Sequence, residues 1–480
     1  MSSNEKSRRR LLEGSLTLGI LRFGLPLAAA MGLHLGFNLV DMFMISRVEG
    51  ATEALAALGV CDMLAAAATI LSTGIGTATV ARIAPALGRS DLRGVRRATW
   101  QGFWLVTVLS LGFGALGLFG SELLVVDVMN VKGNAAALAV RYLQVMLGGA
   151  FSICILLQVT NTLRALGHAK TSAFLLVSGN ALNVVLNVLL VYGDGPAPEI
   201  FAWGRPLAHA LGIPRLGVVG TAYATVIART LPLIVGLWIL SRRRGGPRFH
   251  RVYLRPMASE LRALLRLAWP QSTQLVMRIL LTLTVMALVG AEYTSAEDPS
   301  TLTALGICLR LETLVLFLGM GWGAAASSFV GTNLGARQEG RAKRAGLIAA
   351  GFDVLLMSGI VVIFVRFGAD FVGFFDPTPS VVAAGQGYLS AVAWSYVFFG
   401  GGVVLSQAMS GAGATLLSLK VDAAVVVPLG AVLILVATFV EGVEPLWATI
   451  AVGNLVSGVA FLAVYLRVRF LPSAASPPAR

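Results

Sequence analysis

The chain has 480 residues, 56% of them hydrophobic and only 12% charged, with a mean hydropathy of +0.81. Soluble domains carry about 25% charged residues, so this composition excludes one large water-soluble core and points to a polytopic membrane protein. The net charge of +14 does not signal nucleic acid, because the basic residues fall in short clusters between apolar runs, as an orientation signal does.

A membrane span needs about 20 apolar residues. About twelve such runs follow one another, at 16–46, 54–80, 98–119, 136–160, 171–193, 216–240, 261–290, 301–330, 345–367, 386–411, 421–440 and 445–467. They predict an all-α polytopic membrane protein. Arg8, Arg9 and Arg10 precede the first run without a small-residue cleavage site, so that run is expected to serve as the insertion signal. It also carries a polar stripe. His34, Asn38 and Asp41 stand at i, i+4 and i+7, on one helical face. Ionisable groups inside a span usually face a bundle interior or a water-filled cavity, so this face is expected to line an ion and substrate pathway. Pro26 predicts a bend, as does Pro270 in the seventh run. The fifth run presents a second polar face at Asn180, Asn183 and Asn187, and the sixth carries Thr225 and Arg229. A lone cation at the middle of a span should find a partner; Asp41 and Asp62 are both open to it. The Pro- and Gly-rich segment 193–215 fits either a disordered loop or an ordered cap. Cys61, Cys154 and Cys308 sit in apolar runs without a CxxC, as core thiols do.

Basic residues alternate with the loops: Arg89, Arg93, Arg96 and Arg97 lie on one side, and Glu292, Glu297 and Asp298 on the other. The positive-inside rule then puts both termini in the cytoplasm. An internal repeat is also visible. Leu21-Arg-Phe-Gly-Leu-Pro26 returns as Leu265-Arg-Leu-Ala-Trp-Pro270, and Ala57-Leu-Gly-Val-Cys61 as Ala304-Leu-Gly-Ile-Cys308. The run from Leu87 to Ala98 returns from Leu334 to Ala345. Each half holds six spans and so has the same membrane orientation, a plan common in secondary transporters with a central cavity. The expected organisation is an N-terminal six-helix lobe at 1–240, a cytoplasmic linker at 241–257 and a C-terminal six-helix lobe at 258–480.

Pro26 through Asn38, Val40-Asp41 and Ala56-Ala-Leu-Gly59 resemble the first two helices of the multidrug and toxic compound extrusion (MATE) transporters. So do Leu163–Gly167, Asn183–Asn187, Gly217–Ile227, Val330–Ala336 and Gly411–Gly413, in family order over essentially the whole chain. The resemblance implies an inner-membrane antiporter that exports bulky, often cationic organic compounds against protons or sodium ions. In this family Asp41 looks like the proton or cation site of the first lobe, with His34 and Asn38 as relay or water-ordering groups. Asn187 stands where many proton-coupled relatives hold an aspartate, which leaves one carboxylate fewer. In NorM-like sodium-coupled relatives a glutamate lies eight residues after the span-seven proline and an aspartate in span ten; here these positions are Arg278 and Phe399. That departure places the chain closer to the DinF-like, proton-coupled type.

Arg310 and Glu312 on span eight are expected to form a buried pair or triad with Arg278, either fixing the fold or making Glu312 a second acid. For an adaptable apolar cavity the candidate liners are Met31, Phe37, Met63, Met277, Phe317 and Met320. No HExxH, paired-aspartate or nucleophile motif is present, so the protein is not expected to be an enzyme. The expectation is a monomeric antiporter in the plasma membrane acting on a small organic molecule, with no nucleic-acid partner and no cofactor or metal. The coupling ion is H⁺, with Na⁺ as alternative, and a lipid-linked oligosaccharide flippase of the same superfamily is the other transporter reading.

Overall fold

The computed structural model describes residues 3–46, 51–242, 255–295 and 298–470, with side chains described except at 3, 4, 6, 35, 38, 39, 41, 42, 46 and 51–64. No strand occurs among the described residues. The helices are α1 (Ser3–Leu12), α2 (Leu16–Ser46), α3 (Ala51–Gly88), α4 (Leu92–Glu122), α5 (Gly133–Gly148), α6 (Ala150–Ala165), α7 (Ala169–Asn187) and α8 (Gly204–Ala210). They continue as α9 (Gly217–Arg242), α10 (Ala258–Glu292), α11 (Ser300–Gly335), α12 (Glu339–Phe375), α13 (Pro379–Val392), α14 (Tyr396–Gly411), α15 (Thr415–Phe439) and α16 (Glu444–Arg467). Twelve helical segments among the described residues are long and apolar enough to cross a membrane, in agreement with the sequence. Pro26 and Pro270 lie inside α2 and α10, which run on through them.

Two spans differ from expectation. The fourth is split into α5 and α6 at Gly149, whose backbone leaves the helical region (φ −89°, ψ 12°). A side chain there would overlap Val226 of α9, so glycine permits the close approach that accompanies the break. The tenth span is split into α13 and α14 by a 3₁₀ turn over Ala393–Ser395. Ser395 Oγ satisfies that turn by donating to Val392 O (2.7 Å) and accepting from Asn454 Nδ2 (3.0 Å). The fourth and tenth spans occupy corresponding places in the two halves of the repeat, so the break repeats too.

Helix ends follow the same symmetry. The Leu163–Gly167 and Gly411–Gly413 motifs are helix stops: Gly167 (φ +85°) and Gly413 (φ +82°) take the left-handed conformation. His168 N–H then donates to Leu163 O and Ala414 N–H to Met409 O, capping the last turns. The segment after Tyr192 is folded, with a 3₁₀ turn at Glu199–Phe201 and the short helix α8. Phe201 stacks on Tyr192 (centroids 5.9 Å) and meets Phe43 edge-on, while Tyr192 Oη donates to Met44 O (2.9 Å).

In their described portions the helices form two compact units. One, unit A, contains Met1–Lys6, Leu33–Thr79 and Leu92–Arg266; the other, unit B, contains Ser7–Gly32, Val80–Asp91 and Leu267–Arg480. These units are not the two contiguous halves of the repeat, since α2 and α3 each divide between them. Within unit A, the start of α10 is held against α4: Gln101 donates to Arg255 O and accepts from Met257 N–H (both 2.9 Å), and Arg97 pairs with Glu260 (3.5 Å). Residues 243–254 of the expected linker lie outside the described residues. Within unit B, Arg8 donates to Gly88 O, and Asn333 Nδ2 to Leu11 O (3.2 Å).

Candidate functional site

Unit A places a polar ladder inside apolar helices. On α7 the spacing of Asn180, Asn183 and Asn187 gives one face, and α2 and α9 bring partners to it. His34 Nδ1 lies 3.2 Å from Asn180 Oδ1. Facing an amide oxygen, Nδ1 is the donor. Asn183 Nδ2 donates to Thr225 Oγ1 (3.1 Å) and Asn187 Nδ2 to Asn183 Oδ1 (3.4 Å). The His34–Asn180 and Asn183–Thr225 contacts are interhelical and contribute about 1 kcal/mol each, while Asn187–Asn183 is internal to α7, so the ladder both ties three helices together and presents polar groups at membrane depth. A π-turn over Val188–Tyr192 follows Asn187 directly, a local rewinding often found at functional positions.

Beside the ladder, within the same unit, is a cavity of about 350 Å³ lined by His34, Thr69, Tyr142, Met146, Ser152, Thr221, Thr225 and Arg229. It brings hydroxyls, an imidazole and a guanidinium together with apolar walls that include Ile45, Leu147, Ile153 and Val226. The side chains of Asn38, Asp41 and Met63 lie outside the described residues, as does that of Asp62, the other partner considered for Arg229. None of the described candidate liners Met31, Phe37, Met277, Phe317 and Met320 borders this cavity; Met146 does instead. Met320 packs against the apolar core of unit B.

Unit B carries a second polar seam. Arg278 makes no direct ion pair with Glu312 among the described residues, although the Glu312 carboxyl lies within reach of its charge. Arg278 makes a two-pronged pair with Asp422 on α15, Nη2 to Oδ1 at 2.7 Å and Nε to Oδ2 at 3.3 Å. The Asp422 side chain is fully buried, and the Arg278 guanidinium lies 5.0 Å from the centre of the Phe399 ring. Arg310 is exposed, and Glu312 Oε2 instead accepts from Tyr388 Oη (3.0 Å). The physical reason is geometric: a planar guanidinium takes a carboxylate fork-to-fork, and α15 offers one directly opposite. Around the pair runs a chain of hydroxyls and amides. Gln274 Nε2 donates to Ser418 Oγ (3.2 Å), Ser418 and Ser406 share a hydrogen bond (2.7 Å), and Ser410 Oγ donates to Gln271 (2.8 Å).

Asp422 was missed in the sequence because it adjoins Lys420 at the margin of the eleventh apolar run. The signal that could have found it is the i, i+4 spacing of Ser418 and Asp422 on one helical face. The two sites also correspond. His34 stands eight residues after Pro26 and Arg278 eight after Pro270. Each meets the fifth span of its own half, α7 in one case and α15 in the other.

The family profile described as MatE matches residues 26–189 and 272–436. A probable multidrug resistance protein NorM from Deinococcus radiodurans is 30% identical over 413 residues, 83% of this chain and 84% of the relative. An FAD transporter from Shewanella oneidensis is 23% identical over 455 residues, 95% of each chain. Among solved structures, a crystal structure of MATE in complex with MaL6 superimposes with a TM-score of 0.84 at 22% identity, covering 96% of this chain and 98% of that one. At that identity the likeness speaks for the fold.

Proposed function

The chain belongs to the MatE family of membrane transporters, and from that premise we propose that it exports an amphipathic organic compound in exchange for protons. The observation that carries this reading is the polar ladder of α2, α7 and α9 beside a cavity of mixed polar and apolar lining, inside helices that are otherwise apolar. In the proposal Asp41, on the same face of α2 as His34 and Asn38, takes up and releases the proton. Desolvation favours its neutral form when the cavity is closed to water, and hydration restores the charged form when it opens. His34 relays, while Asn38, Asn180, Asn183, Asn187 and Thr225 order water or substrate between the helices.

The choice of proton over sodium is supported by α10. Where a sodium site would need hard oxygen ligands, this chain presents the Arg278 guanidinium, already held by Asp422. For the substrate, the relative named a probable multidrug resistance protein supports a cationic drug-like compound. A second reading is favoured by the cavity wall itself. His34 and Arg229 are basic, a lining that suits an anionic or zwitterionic amphiphile, and one relative is named an FAD transporter. The same proposal has a monomer in the plasma membrane with both termini cytoplasmic, on the alternation of basic loops.

Purified protein in liposomes tests these points together. An imposed pH gradient is expected to drive uptake of a cationic dye, and Asp41→Asn to reduce it to the level of empty liposomes. Unchanged flux in Asp41→Asn would remove Asp41 from coupling. Transport driven by a sodium gradient alone would replace the proton. Competition by an anionic amphiphile but not by a cationic one would decide for the second substrate class.

A further inference from the structure

We propose that Asp353 is a second proton-carrying site, within unit B, holding its proton in the conformation seen here and releasing it when α12 and α14 part and admit water. Asp353 lies on α12, the most apolar of the twelve spans among the described residues. Its side chain is fully buried, and neither carboxyl oxygen has a hydrogen-bond partner among the described residues. The carboxyl is lodged against the backbone of α14. A methyl group at Gly400 would overlap Oδ2 and lie 3.0 Å from Met357, one turn further along α12. One residue back, Phe352 stacks on Trp322 of α11 (centroids 5.2 Å). Gly400 therefore borders the buried acid, with Met357 close by on the acid's own helix.

The ionisable groups on the neighbouring elements are otherwise engaged or remote. α11 carries Glu312, whose carboxylate takes the hydroxyl of Tyr388 from α13. Tyr396 of α14 packs its ring against Phe364. On α12 itself, Arg341 donates to Gly14 O and Lys343 to Leu466 O, both toward the start of the helix. Arg310 of α11 is exposed, and Arg344, Arg366 and Asp370 lie more than two turns from the acid along α12. No ion pair with Asp353 and no hydrogen bond to its carboxyl is formed among the described residues.

A carboxylate stripped of water with neither donor nor cation is far costlier than the neutral acid, so the group resolves the cost by keeping its proton. The neutral acid is tolerated only while the shell stays dry. Separation of α12 from α14 would let water reach Oδ2. The O–H bond then breaks, its electron pair stays on the carboxylate and the proton passes to the entering water. Binding when shielded and release when hydrated is what a coupling site must do. The use of this step in transport rests on the proton-antiport reading above; the presence of the proton does not.

Infrared spectra of the purified full-length protein at neutral pH test the proton directly. A carbonyl stretch of a protonated carboxyl should be present in the wild type and missing in Asp353→Asn. That variant has nearly the shape of the neutral acid and should fold with wild-type helix content. Gly400→Ala, which leaves the acid but crowds it out of its pocket, should lose the same band. An empty wild-type-minus-Asp353→Asn difference in this region would overturn the proposal. In liposomes, Asp353→Asn should retain gradient-free substrate exchange while losing a share of the pH-driven accumulation. Accumulation equal to wild type would overturn the coupling role. Wild-type liposomes indifferent to the pH gradient would overturn the antiport reading and with it the coupling role, while the infrared band would still register the proton.

Discussion

Arg278 and Asp422 show how much a single buried pair can demand. Asp422 is fully buried and Arg278 retains about a fifth of its side-chain exposure (20%), so neither charge can be withdrawn without stranding the other. Removing one partner of a buried pair costs about 3–5 kcal/mol. Asp422→Asn is therefore expected to lower the detergent melting temperature and folded yield markedly, whereas substitution of the exposed Arg310 should leave both near wild type. Outside the membrane, acids act more gently. Asp298 and Asp376 precede α11 and α13 and accept from Ser300 and Thr378. The Ser300 hydroxyl and then its backbone N–H hold Asp298 below the usual carboxylate range, and Thr378 does the same for Asp376. A depressed acid stabilises above its unfolded pKa and loses that contribution as pH falls through the folded value. Amide protection factors, corrected for intrinsic exchange, in the first turns of α11 and α13 should thus fall only as the pH drops below about 3.9, the free aspartate value. Asp298→Ala should remove that pH step at α11.

At the scale of elements, repeat-equivalent residues make equivalent structures. Ser90 (φ +61°) and Arg337 (φ +60°) both end long helices in the left-handed conformation, with Asp91 N–H reaching Ala86 O and Gln338 N–H reaching Asn333 O. Just before them, Gly88 and Gly335 mark a close crossing of α3 and α11 inside unit B. A side chain on Gly88 would overlap Thr332 O, and one on Gly335 would overlap Pro85 O. Because the obstruction is backbone on both sides, no rotamer change relieves it. Gly88→Ala and Gly335→Ala are each expected to cost about 1–3 kcal/mol, the usual range for overpacking. Thermal unfolding would read this; by contrast Gly340, which has open space around it, should accept alanine without loss. In the sequence these glycines are visible only as members of a repeat, since a close approach is a property of two helices and not of either one.

At the scale of the whole molecule, the linear repeat and the compact units divide the chain differently. The repeat has its boundary near the basic linker, but unit B takes Ser7–Gly32 and Val80–Asp91 from the first half, and unit A takes the chain as far as Arg266. The division of α2 falls between Gly32 and Leu33, immediately before His34. α2 thus has His34 in one unit while its other end belongs to the other. Sequence similarity locates the halves because duplicated segments keep their residues; packing follows whichever helix faces are closest, and these need not respect the duplication.

The amino-acid sequence by itself determined the twelve spans, the duplicated plan, the family and the polar stripes of α2 and α7, because each of these is written in local hydropathy, spacing or motif order. The ladder of His34, Asn180, Asn183 and Thr225 was half legible: the faces were visible, their partners were not. Only the tertiary structure decided that Arg278 pairs directly with Asp422, that the fourth and tenth spans are broken, and that Asp353 lies buried against Gly400. Arg278 and Asp422 are 144 positions apart, and a pairing over that distance depends on which helices become neighbours. An acid's protonation depends further on what those neighbours fail to offer it, and no local pattern records that.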